Sequence, residues 1–131
     1  MTTLDKRLRY SVWFGSALLA FVALFHFSGF FAIPTEPGGG ASFFEASLRP
    51  LWLFASLHWL LIAVICIFVI KSGHQHARLI LLCCAATVLA DAALLYFFIG
   101  PFIGSVILAV AGIAFGIGTI DNRRDVKLET G

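Results

Sequence analysis

The chain alternates between long apolar stretches and short polar segments. Residues 10–35 and 50–70 contain no charged side chain, and residues 79–120 contain only one, Asp91. A helix needs roughly 20 apolar residues to cross the hydrocarbon core of a bilayer, so the first two stretches predict one span each and the third predicts two. Transmembrane β-strands would alternate polar and apolar residues, which these stretches do not do. The pattern therefore predicts helices that cross a membrane.

The expected fold is all-α: a single integral membrane domain over residues 1–131 that forms a four-transmembrane-helix bundle. Gly100 and Pro101 divide the last stretch, because glycine often ends a helix and proline often begins one. The first stretch is longer than the apolar part of a signal peptide, which covers about 7–15 residues, so we expect a permanent span there. The predicted helices cover approximately residues 11–33, 50–70, 78–99 and 101–120.

The polar segment between the first two helices predicts a further short element. Ser42 and Glu45 have the spacing of a capping box, in which a hydroxyl and a carboxylate bind the first free N–H groups of a helix. We therefore expect a short interfacial helix over residues 43–48, ahead of Pro50. Glu45 and Arg49 lie four residues apart, and they either form a salt bridge with each other or contact a lipid head group or a partner protein.

Composition supports lipid as the surrounding medium. Hydrophobic residues make up 60% of the chain and charged residues 12%, whereas an average soluble domain is about 45–50% apolar and about 25% charged. Disordered chains are poor in hydrophobic residues, so that class is excluded as well. The net charge is +2 without a dense stretch of Lys and Arg, and the chain therefore does not indicate a nucleic-acid partner.

The basic residues predict the topology. Lys and Arg cluster at the amino end, between the second and third helices, and in the tail, whereas residues 34–49 carry only Arg49. Short loops rich in Lys and Arg stay on the cytoplasmic side. We therefore expect cytoplasmic N and C termini and an outward-facing 34–49 segment, with the inner (cytoplasmic) membrane of a bacterium as the location.

The last predicted helix is rich in small residues. Gly104, Gly112 and Gly116 lie on one ridge, at spacings of eight and four residues. Helices in lipid associate through close backbone approach and hydrogen bonds, since apolar side chains gain nothing by leaving the lipid. The ridge therefore packs either inside the bundle or against a protein partner or a second copy in a homo-oligomer, and both interpretations remain open.

Polar side chains at membrane depth form the candidate site, because each is costly there unless it has a partner. His26, His58 and Asp91 lie on three different predicted helices, seven or eight residues from the outer end of each. At 1.5 Å per residue, all three lie roughly 10–12 Å below that end. Thr87 and Cys84 precede Asp91 by four and seven residues and share its helix face. We therefore predict an intramembrane polar cluster.

Four interpretations of this cluster remain open. Asp91 accepts hydrogen bonds from one or both imidazoles in a structural role, or His26, His58 and Asp91 bind Zn, Cu or Fe. Alternatively, the three residues couple proton or ion movement, or the two histidines hold a haem. Haem has the least support, because no C-x-x-C-H sequence is present. Cys66 and Cys84 are expected to act as small apolar side chains.

A layout resemblance covers residues 48–118. It rests on the segments Leu48-Arg-Pro-Leu-Trp52, Leu89-Ala-Asp91 and Tyr96-Phe-Phe-Ile-Gly100-Pro101. These segments resemble the small four-helix scaffold proteins of sterol biosynthesis and similarly built uncharacterised bacterial membrane proteins. The shared element is a polar residue in the third helix, about nine positions before a glycine-containing turn, although this chain has Asp91 where that layout has His or Arg. The resemblance implies a non-catalytic scaffold.

The leading functional expectation is an accessory or scaffold subunit of a larger membrane assembly. Nearly all of the chain is predicted span, and it contains no nucleophile elbow, phosphate-binding loop or H-E-x-x-H motif, which favours a non-enzymatic role. One alternative is a small ion- or proton-coupled transporter that uses Asp91 with His26 and His58. Another is a metal-bearing subunit of a membrane redox enzyme that uses the same three residues.

Overall fold

A computed structural model describes residues 3–32, 43–72 and 76–120, and these ranges are helical apart from short turns. The helices are α1 (Thr3–Gly29), which continues into a 3-10 turn (Phe30–Ala32), then α2 (Phe43–Ser72), α3 (Ala77–Ile99) and α4 (Ile103–Ile120). The prediction of an all-α fold is confirmed for this part of the chain.

The four helices are arranged as a ring in chain order. Helices α1 and α2, α3 and α4, and α1 and α4 pack along extensive interfaces, whereas α2 and α3 meet over a much shorter one. Within the described ranges α2 and α4 do not touch, so they occupy opposite corners of the bundle. The α2–α3 interface, which we call the α2–α3 seam, is therefore the loosest side of the molecule.

The apolar residues lie both inside and outside the bundle. The interior is closely packed around fully buried side chains such as Leu19, Leu81, Leu108 and Phe115. The outer surface is also apolar, and Phe97, for example, is 83% exposed. A surface of this kind is a liability in water and the ordinary state of a helix bundle in lipid.

In the described part of the chain, three helical segments are long and apolar enough to cross a membrane: Lys6–Ala32, Pro50–Ser72 and Ala77–Ile99. The apolar part of α4, Ile103–Ile117, is shorter. These lengths and the apolar exterior support an integral membrane protein, as the sequence predicts.

The predicted interfacial helix at 43–48 is not a separate element. It forms the first turns of α2, which continues through Pro50 to Ser72 without a break. Proline removes one backbone hydrogen bond, and membrane helices tolerate that loss because neighbouring groups satisfy the freed carbonyl. The side chains of Glu45 and Arg49 lie outside the described residues, so their interaction stays a prediction.

Two further helix boundaries differ from prediction. Helix α1 begins at Thr3 rather than near residue 11, because the absence of charge marks the membrane-crossing part of a helix and not its start. Helix α4 begins at Ile103 rather than at 101. Gly100 has a φ of 95°, a value that favours glycine, and its N–H donates to the Tyr96 carbonyl at 2.9 Å. This bond closes α3, and the chain then turns before α4 starts.

Candidate functional site

The carboxylate of Asp91 on α3 has two partners on α2. The Trp59 Nε1–H donates to Asp91 Oδ2 at 3.0 Å, and His58 Nε2 lies 3.2 Å from the same oxygen. Trp59 is buried, whereas the His58 and Asp91 side chains are 33% and 25% exposed. The consecutive residues His58 and Trp59 thus approach one carboxylate across the α2–α3 seam. This contact supplies the hydrogen bonds that a carboxylate needs at membrane depth.

His26 on α1 takes part in a different set of contacts. Its Nδ1 lies 3.0 Å from Ser56 Oγ on α2, and its ring stacks on Trp52 with centroids 4.1 Å apart and planes at 12°. The Trp52 Nε1–H also donates to the backbone carbonyl of His26. These contacts join the end of α1 to the first half of α2 through side chains and backbone together.

Trp59 is the residue between the two sets of contacts. Its ring meets His26 edge-on, with centroids 5.1 Å apart and planes at 77°, while its Nε1–H binds Asp91. The structure therefore brings His58 and Asp91 into direct contact and connects His26 to them only through Trp59. Of the predicted cluster of three, two residues bind each other and the third lies on the far side of an indole ring.

The metal and haem interpretations gain no support from this geometry. Among the described residues, no group of three or more His, Cys, Asp or Glu side chains is placed so that it could hold a metal ion. One nitrogen of each imidazole already has a polar partner, since His26 Nδ1 contacts Ser56 and His58 Nε2 contacts Asp91. The arrangement instead matches the structural interpretation, with Trp59 as the second donor to Asp91.

The other two residues predicted to join the cluster lie apart from it. Thr87 is exposed, and its hydroxyl donates within α3 to the Cys83 carbonyl at 3.0 Å. Cys84 is half-buried, and its thiol lies close to that of the buried Cys66 across the α2–α3 seam. The seam is therefore joined at two levels, by the Cys66–Cys84 pair and by the Asp91 contacts.

Sequence reasoning missed Trp52, Ser56 and Trp59. Their spacing of four and three residues places them on one face of α2, and a buried indole N–H or serine hydroxyl needs an acceptor. That spacing next to His58 was the signal that could have identified them. The signal is weak, because tryptophan and serine carry no charge and do not interrupt the uncharged stretch 50–70.

The three glycines of the predicted ridge on α4 have different surroundings. A Cβ on Gly112 would lie 2.8 Å from Leu89 Cγ and 3.3 Å from the Ala85 carbonyl, so this glycine permits close packing of α4 on α3. A Cβ on Gly104 would meet the ring of Phe102 in the preceding turn, and a Cβ on Gly116 would meet nothing within 4 Å. Only Gly112 of the predicted ridge thus lies in tight contact with another helix of this bundle.

A cavity of about 430 Å³ lies beside His26, where α1 ends, α2 begins and α3 connects to α4. All four helices contribute to its walls, and nearly all of the wall is apolar. Aromatic side chains are prominent in it: Phe21, Phe25, Trp52, Trp59 and Phe102. Pockets of this size and character are the usual binding places for small apolar molecules.

Comparison with known proteins identifies no relative: no family model matches the sequence, and no curated protein or solved structure matches it. The contacts within the molecule are therefore the basis for its proposed function.

Proposed function

We propose that this small membrane protein has four spans with cytoplasmic termini and serves as an accessory or scaffold subunit of a larger assembly in a bacterial inner membrane. Helix α4 is the proposed fourth span, and its length and packing support that assignment. Its 18 residues extend about 27 Å at 1.5 Å per residue, close to the thickness of the hydrocarbon core. It also packs along two neighbours, α1 and α3, that are themselves candidate spans.

The observation that carries the accessory role is the partial exposure of the His58–Asp91 pair. A third of the His58 side chain and a quarter of the Asp91 side chain are uncovered on the shortest helix interface of the bundle. Polar groups that face lipid at membrane depth are costly and in known membrane proteins face protein or water-filled space. A helix from another subunit, placed along the α2–α3 seam, would cover this pair.

Site-specific photo-crosslinking in intact membranes tests this assignment. Thr87 is the position for the photoreactive residue, because it is exposed on α3 between Cys84 and Asp91, the two residues that contact α2. Leu24 on α1, which is 64% exposed, is the matched control on another face. We expect one crosslinked protein of defined mass from position 87 and none from position 24.

Three outcomes contradict the proposal. Identical crosslinking from positions 87 and 24, or crosslinking to lipid alone, would show that no subunit occupies the seam. Crosslinking to a second copy of this chain, detected with two differently tagged copies, would replace the accessory role by a homo-oligomer.

The same pair supports a second candidate function, proton- or ion-coupled transport. The Asp91–His58 contact joins an acidic and a basic side chain, and both side chains are partly exposed. If Asp91 carries the proton, then Asp91→Asn abolishes proton flux in liposomes under an imposed pH gradient, because an amide does not titrate. Equal flux in the parent protein and the variant would eliminate transport through Asp91.

A further inference from the structure

The cavity beside His26 is larger than a single aromatic ring requires. Its volume of about 430 Å³ is roughly three times that of an engineered cavity of about 150 Å³ that holds benzene. The space therefore suits one ring together with an apolar chain of several carbon atoms. Its aromatic walls favour a flat ring, which gains from offset or edge-on contact with Trp52 and Trp59.

The neighbours of His26 indicate whether the remaining nitrogen of its ring is a hydrogen-bond donor or an acceptor. A serine hydroxyl has a single hydrogen, and that of Ser56 donates to the Trp52 carbonyl at 3.2 Å. We assign the hydrogen of the 3.0 Å contact between Ser56 Oγ and His26 Nδ1 to Nδ1, because the single hydroxyl hydrogen of Ser56 is then available for the Trp52 carbonyl. In a neutral imidazole the other nitrogen is then an acceptor. Nε2 of His26 has no partner among the described residues, and His26 lines the cavity while Ser56 does not.

From these observations we propose that the cavity is a binding site for an amphiphile with a phenolic ring and an apolar tail, whose hydroxyl donates a hydrogen bond to His26 Nε2. The ring packs against Trp52 and Trp59, and the tail occupies the apolar space beside Ile107 on α4. Ligands that carry only a hydrogen-bond acceptor on the ring find no donor at Nε2. The site lies on the opposite side of Trp59 from the α2–α3 seam, so it is independent of the accessory role.

Two probes that differ in one hydrogen-bond donor test the ligand class. 4-Nonylphenol has the hydroxyl, and 4-nonylanisole replaces it by a methyl ether of similar shape. The full chain carries Trp13→Phe, so that the tryptophan fluorescence comes from Trp52 and Trp59, and it is excited at the red edge, where the probes do not absorb. We expect saturable quenching and an affinity for the phenol about five- to tenfold higher, the worth of one buried hydrogen bond.

Three further substitutions locate the site. His26→Phe keeps a flat ring against Trp52 but removes the acceptor, so we expect it to bind both probes equally. Ile107→Phe fills part of the cavity and is expected to weaken both probes at least tenfold. Val106→Phe adds the same ring at the neighbouring position, which is 58% exposed and outside the cavity wall, and is expected to leave binding unchanged.

Several outcomes would overturn the proposal. Equal affinity of the unsubstituted cavity for phenol and methyl ether would remove the hydroxyl requirement and identify the site as a pocket for a lipid acyl chain. Equal effects of Ile107→Phe and Val106→Phe, or non-saturable quenching, would mean that the probes simply partition into detergent. The comparison of the two probes needs no variant at His26, so it decides the question even if His26→Phe does not fold.

Discussion

The two sides of α3 are attached to the bundle by different kinds of contact. On the α4 side, Gly112 allows α4 to approach Leu89 and the Ala85 carbonyl closely, and the interface is extensive. On the α2 side the interface is short, and it is joined by the Asp91 contacts with His58 and Trp59. The first interface depends on shape and the second on hydrogen bonds.

This difference illustrates the two ways in which helices associate in lipid. Apolar side chains are as well solvated by acyl chains as by one another. The association of helices is therefore stabilised either by close backbone packing or by hydrogen bonds between polar groups. Helix α4 approaches both of its neighbours closely, because Gly15 on α1 also receives the ring of Phe115 and the Ala111 carbonyl. On the α1 side, the Ser11 hydroxyl adds one hydrogen bond to the Ala114 carbonyl. The α2–α3 seam uses the second, and the partly exposed His58–Asp91 pair in it is the reason why the accessory role is proposed there.

The largest stability loss is expected from Gly15→Ala, which tests the shape-dependent interface. The new Cβ would lie 2.8 Å from Phe115 Cε1 and 3.1 Å from the Ala111 carbonyl, and Phe115 is fully buried. Overpacking of this kind costs about 1–3 kcal/mol. The free energy of unfolding in detergent measures the loss.

Gly116→Ala is the matched control for Gly15→Ala. Its Cβ would meet nothing within 4 Å, so we expect a change within about 0.5 kcal/mol. If the two alanine variants lost equal stability, the packing of α4 on α1 would not depend on close approach at Gly15, and close approach would lose support as the way in which α4 packs on its neighbours.

A smaller effect is expected when the hydrogen bond across the α2–α3 seam is removed. A double-mutant cycle with Trp59→Phe and Asp91→Leu isolates the coupling between the Trp59 N–H and the Asp91 carboxylate. Polar contacts between membrane helices average about 0.6 kcal/mol and reach about 1.7 kcal/mol, so we expect a coupling free energy in that interval. A value near zero would mean that the seam is held by packing, as α4 is.

The smallest effect is expected at the opposite end of α2 from the cavity. The Lys71 ammonium lies 5.5 Å from the ring centroid of Trp13 on α1, and exposed cation–π contacts contribute about 0.5–1 kcal/mol. Lys71→Gln should lower the free energy of unfolding by that amount in the parent protein. In a Trp13→Leu background the same substitution should leave the free energy of unfolding unchanged. An equal loss of stability there would mean that Lys71 acts through its charge and not through its contact with Trp13.

The candidate site was only partly predictable from the sequence. Depth along each helix follows from counting residues, and it correctly placed His58 at the level of Asp91. Helix rotation does not follow from counting in a chain that is apolar on every face, since the lipid-facing and core-facing sides have the same composition. The insertion of Trp59 between His26 and Asp91 was therefore missed, as was the role of Gly15, which lies outside the predicted glycine ridge.

The sequence by itself determined the helical class and the positions of the apolar spans, because a backbone in lipid must satisfy its own hydrogen bonds and charge is excluded from the membrane interior. The run of apolar residues marks each span without reference to any other. Tertiary structure alone decided that α2 passes through Pro50, that Asp91 binds Trp59 and His58, and that a cavity forms beside His26. These features depend on how each helix is rotated against its neighbours, and close packing at Gly15 and Gly112 together with the few hydrogen bonds at Asp91 and His26 selects that rotation.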